Sequence, residues 1–100
     1  VAEYTISAAS GDDWPVIPRD AFPAVLQPQS IACDSVEGDG DHSFRTGNTT
    51  VSASWELAST WYVHVDGAPS LDAADAIVAE MARQLGEATG VTANYYRITD

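Results

Sequence analysis

The chain has no lysine, one cysteine, and no apolar run long enough to cross a bilayer. Each absence removes a class of function. Without lysine, four arginines face fifteen Asp and Glu residues, for a formal net charge of −11. Such a field repels nucleic acid and anionic lipid and favours basic partners. The lone Cys33 excludes an internal disulfide. It sits in a short apolar stretch with no neighbouring base, as a small core residue does, and a reducing, cytoplasmic-type compartment is expected for a soluble chain. No basic-then-apolar segment reads as a signal peptide, and no glycine-rich phosphate loop or nucleotide motif appears.

What is present fits one domain. One hundred residues give room for one core, and an apolar share of 45% with nine aromatic residues is too high for a disordered chain. The opening stretch alternates Ala2, Tyr4, Ile6 and Ala8 with Glu3, Thr5 and Ser7, the period of a half-buried strand near 2–8. Four prolines between Trp14 and Pro28 restrict that region to a short helical turn around Asp20 to Leu26, with Trp14, Ile17, Phe22 and Leu26 turned to the core. A short strand is expected near 30–36, followed by the acidic loop Glu37-Gly38-Asp39-Gly40-Asp41.

Strands over 42–46 and 49–57 are joined by Gly47-Asn48, a two-residue hairpin signal. Such a loop pairs Thr46 with Thr49, Phe44 with Val51 and Ser43 with Ser52, so apolar meets apolar. A third strand over 61–66 alternates Trp61, Val63 and Val65 with Tyr62, His64 and Asp66. A three-residue turn over 58–60 would oppose Leu57 with Trp61, Trp55 with Val63 and Ser54 with His64. Ser70 then caps a helix over 71–88 with Leu71, Ala74, Ile77, Val78, Met81, Ala82 and Leu85 on its core face, above Trp55 and Trp61. Gly86 or Gly90 stops it, and a last strand near 91–98 is expected to return parallel to an existing one. The class is α+β: a mostly antiparallel sheet packed on one main helix in two layers, with the strand order open.

The polar sheet face places Ser54, His64 and Asp66 together. A serine nucleophile also needs an exposed turn and backbone donors for an oxyanion, and neither is legible. Asp34, Glu37, Asp39 and Asp41 lack the closing Glu of a calcium loop. His42 and His64 fall on opposite faces, which excludes a shared metal. No catalytic residue, metal or cofactor is expected.

The expected function is a non-enzymatic, acidic protein-binding or assembly module: an adaptor, inhibitor, immunity-type protein or small structural subunit. Its partner-facing residues would be Asp72, Asp75, Glu80 and Glu87 on the helix, with Glu37, Asp39 and Asp41 in the loop. The partner is a protein, basic in character, or a second copy; direct nucleic-acid and membrane contacts are not expected. Two alternatives stand beside it. One is a nucleic-acid mimic that inhibits a basic DNA-binding protein. The other is a small oligomeric enzyme with a subunit-boundary site on the polar face, at Glu56, Tyr62 and His64.

Overall fold

The computed structural model describes residues 1–10, 14, 17–56 and 59–99. In chain order they form β1 (Ala2–Ala8), a 3-10 turn (Arg19–Ala21) running into α1 (Phe22–Leu26), β2 (Asp34–Val36), β3 (His42–Thr46), β4 (Thr49–Trp55), β5 (Trp61–Asp66), α2 (Leu71–Thr89) and β6 (Ala93–Thr99). All six strands join one antiparallel sheet in the order β2-β3-β4-β5-β1-β6. The α+β, helix-on-sheet arrangement expected from the sequence is the one found. No described helix is long and apolar enough to cross a membrane.

The β3–β4 hairpin has the expected register, with Thr46 opposite Thr49 and Phe44 opposite Val51. Gly47 takes a positive φ of 59° while Asn48 does not, the arrangement of a type II′ turn. The β4–β5 register departs from expectation by two residues. Trp55 opposes Trp61, not Val63, and Ser54 opposes Tyr62, not His64. Strand β4 ends at Trp55. The Glu56 N–H donates to the Thr60 carbonyl at 2.8 Å, and the Ser59 N–H donates to the Glu56 carbonyl at 3.0 Å. Ser59 supplies the positive φ (60°) that such turns usually draw from glycine. A shift of two leaves every side chain on its expected face but changes its partner. The expected pairing of Leu57 lies outside the described residues.

The last strand returns parallel to β5, as expected, but not beside it. β6 pairs antiparallel with β1, at the sheet edge. It runs in the same direction as β5, with β1 lying between them, so the β5–α2–β6 crossover is split by the first strand.

Ser70 caps α2 by accepting the Ala73 N–H, and Gly90 ends it in the left-handed region at φ 75°. Ala74, Ile77, Val78, Met81, Ala82 and Leu85 are buried as the spacing predicts, whereas Leu71 is 41% exposed. The helix lies closest to β1 and β6. Trp61 is roofed instead by the proline-rich segment: Phe22 of α1 meets its ring edge-on at 5.4 Å. The roof therefore has two pieces, and the tryptophans belong to the smaller one. Residues 30–33 do not join the sheet. Ser30 donates its N–H and its hydroxyl to Glu80 on α2, which draws this stretch to the helix and leaves β2 only three residues long.

Candidate functional site

Most of the acidic residues read as partner-facing are drawn into bonds within the chain. Asp75 Oδ1 accepts the Tyr4 hydroxyl at 2.5 Å, and its Oδ2 lies 3.2 Å from Arg97 Nη1. Burial of the ring, then this bond, pushes the Tyr4 phenol up to about 12. The two Ser30 hydrogen bonds hold the Glu80 carboxyl below the usual range despite its partial burial. Glu87 pairs with Arg83 one turn away at 3.0 Å. Asp72 is exposed in the first turn of α2, where the helix dipole favours it. The helix thus presents a broken acidic face.

The acidic loop folds back over the sheet. Asp39 gives its carbonyl to the Ser43 hydroxyl at 2.7 Å. The Asp41 N–H donates to the Ala53 carbonyl at 2.9 Å, and Asp41 Oδ2 accepts the Trp55 N–H at 2.7 Å. Glu37 and Asp39 remain exposed.

On the open face Tyr62 and His64 share β5 and the Glu56 carboxylate is within electrostatic reach of Tyr62, but Glu56 is not the cross-strand partner of Tyr62 that the sequence register implied. Tyr62 opposes Ser54, and its hydroxyl donates to Glu3 of β1. Burial, then the Glu3 bond, raises that phenol to about 12. His64 lies between Ser52 and Glu3, and Asp66 opposes Thr50, so Ser54 does not face His64 as the sequence register implied. Among the described residues, no three His, Cys, Asp or Glu side chains converge as a metal site requires. His42 sits on the helix side between Phe22 and Phe44, and burial lowers its pKa. Its neutral ring accepts the Gln27 amide N–H at 3.0 Å. Cys33 is half-buried against the core, with its thiol raised by burial.

The most exposed strand lies at the sheet edge, away from the acidic and polar residues read from the sequence. β6 is an edge strand of seven residues, and Tyr95, Tyr96 and Ile98 on it are 38%, 58% and 55% exposed. The Ala9 N–H donates to the Thr92 carbonyl at 2.8 Å, so the alternation of the ladder turns the main-chain groups of Ala93 and Tyr95 away from β1. Beside this edge runs a groove of about 800 Å³, walled by Ala79, Ala82 and Gly86 of α2 and by Ala93 and Tyr95 of β6. The small helix residues keep the groove open. At Gly86 a Cβ would stand 3.2 Å from the Val91 carbonyl, so even alanine there would press on the turn between α2 and β6. The adjacent Tyr95-Tyr96 pair was the available signal: aromatic residues on both faces of a terminal strand fit an edge better than a half-buried interior position.

These features define a two-layer α+β domain with an open sheet edge flanked by a helix groove. No family model matches the chain, and neither a curated protein nor a solved structure matches it.

Proposed function

We propose that this protein is a non-enzymatic binding module that takes an extended, basic segment of a partner protein along β6. The observation that carries the reading is the seven-residue edge with outward main-chain groups beside a groove. An added strand gains affinity from main-chain hydrogen bonds and specificity from alternate side chains. Those on the helix side would enter the groove between Ala82, Gly86 and Tyr95, and those on the other side would lie along Tyr96 and Ile98.

The charge supports a basic occupant over a second copy. Two chains of −11 repel each other, whereas a Lys- or Arg-bearing strand is steered towards either one. Long exposed edges are normally blunted. β6 carries only a register shift near its end, between Glu3 and Tyr4 on β1, and one charged residue, Arg97.

The test is a titration of isotope-labelled protein with extended peptides alternating Val with Lys, against the same series with Glu. The Lys series should shift the amide signals of Ala93 and Tyr95, and the shifts should weaken with added salt. Shifts that map away from β6, or equal binding of the Glu series, would overturn the proposal.

A further inference from the structure

At the far side of the two-piece roof lies a second pocket, of about 320 Å³, formed by Ile17, Arg19, Phe22, Asp41, Trp55 and Trp61. Its walls are three aromatic rings. Trp61 meets Phe22 edge-on at 5.4 Å and Trp55 at 5.4 Å. Its volume is at the small end of the range for small-molecule sites. We infer that this pocket binds an organic cation of the guanidinium or alkylammonium type, with Arg19 as the displaceable internal occupant of its rim.

Two observations with different physical content carry the inference. The first is that the carboxylate is fixed. Asp41 is pinned through its own N–H to the Ala53 carbonyl and through Oδ2 to the Trp55 N–H. Its other oxygen, Oδ1, lies 3.4 Å from the Arg19 guanidinium, and Asp41 lines the pocket beside it. The second is that the cation now beside it is loosely held. The Arg19 side chain is 74% exposed, and its guanidinium carbon stands 5.6 Å from the centre of the Phe22 ring. It reaches the Asp41 carbonyl at 3.2 Å. An exposed ion pair of this length contributes little, whereas a cation seated over aromatic faces and out of water interacts more strongly. The rings and the carboxylate are therefore preorganised for a cation, and Arg19 marks the chemistry without filling the space.

The surrounding field agrees. The net charge of −11 concentrates cations at any cleft, and aromatic walls with one carboxylate select them over neutral molecules of the same shape. The site is separate from the β6 groove and shares none of its lining residues.

The experiment follows the indole N–H signals of Trp55 and Trp61 while N-acetylarginine methylamide or tetramethylammonium is added, with Trp14 as the internal reference. The matched neutral probes are the citrulline analogue and 3,3-dimethylbutanol. Cations should move the two indole signals and the neutral probes should not. Arg19→Ala removes the internal competitor and should tighten binding by about threefold or more, while Asp41→Asn should weaken it by about tenfold. Arg19 is exposed, so its replacement tests the site without threatening the fold. A fifth probe, arginine at the centre of a glycine pentapeptide, separates the sources. Tighter binding than the single amino acid indicates a protein side chain, and equal binding indicates a free cation. Equal response to charged and neutral probes, or weaker binding by Arg19→Ala, would overturn the inference.

Discussion

The Tyr4 hydroxyl on β1, one strand in from the sheet edge, donates to Asp75 on α2 at 2.5 Å, and the same carboxylate is paired with Arg97 of β6. One side chain thus ties α2 and β6 of the crossover to β1, the strand that splits it. Tyr4 itself is fully buried. Removing its hydroxyl leaves Asp75 paired with Arg97 but short of one donor. Tyr4→Phe is expected to cost about 1–2 kcal/mol, read as a lower urea midpoint with unchanged slope. Asp75→Ala should cost more, because it removes the acceptor of the buried phenol and the ion pair to Arg97 together.

Gln84 is the polar residue that the helical pattern hides. It lies within the buried stripe of α2, 6% exposed. Its Nε2 donates to the Val25 and Gln27 carbonyls, both at 2.9 Å, and its Oε1 accepts the Gln29 N–H at 2.9 Å. One amide therefore satisfies three main-chain groups where α1 ends and the chain leaves it. Gln84→Ala should destabilise by about 2–3 kcal/mol, since each stranded group carries its own desolvation cost. Gln84→Met fills the volume without the hydrogen bonds. A loss as large as that of Gln84→Ala would assign the effect to hydrogen bonding rather than to a cavity.

These two residues also show what the sequence makes legible. Periodicity finds faces, because side-chain direction is fixed by the local backbone; β1, the β3–β4 hairpin and the core stripe of α2 follow from it. It does not find partners. Asp75, Glu80 and Gln84 look alike as polar positions on a helix, yet all three are taken by groups from distant segments: Tyr4, Ser30 and the chain after α1. The β4–β5 register failed for a related reason. Ser59 adopts a conformation that its side chain does not advertise, so the turn could not be placed by residue type. The candidate site was missed because an edge is a property of strand order, and strand order depends on long-range pairing. β6 was recognisable as a strand, but its place beside β1 was not.

His42 makes folding sensitive to mild acid. Burial lowers its pKa below the ordinary value of 6.5. As the pH falls through 6.5 the unfolded chain takes up a proton that the folded ring refuses, so stability falls with pH until the folded ring also titrates. The neutral ring also accepts the Gln27 amide, a bond that protonation removes. Between pH 7 and pH 5, His42→Phe should flatten the dependence of the urea midpoint on pH. A mutant slope equal to that of the wild type would place the sensitivity elsewhere.

The two glycines that begin the neighbouring turns respond to opposite constraints. Gly47 has a φ of 59° and open space where a Cβ would stand. Gly47→Ala therefore carries only the backbone strain of a positive φ, about 1–2 kcal/mol. Gly67 has a φ of 83°, and a Cβ there would fall 2.4 Å from the Asn48 carbonyl oxygen. That oxygen belongs to the β3–β4 turn, so relief requires moving one hairpin end away from the start of the α2 connection. Thr49, whose hydroxyl donates to the Gly67 carbonyl at 3.4 Å, would be displaced with it. Gly67→Ala is expected to cost about 2–4 kcal/mol, well above the Gly47 variant, in paired chemical denaturation. Equal losses would mean that the turn separates freely from the helix connection, and that the close approach of Asn48 to Gly67 contributes nothing to holding the sheet end against α2.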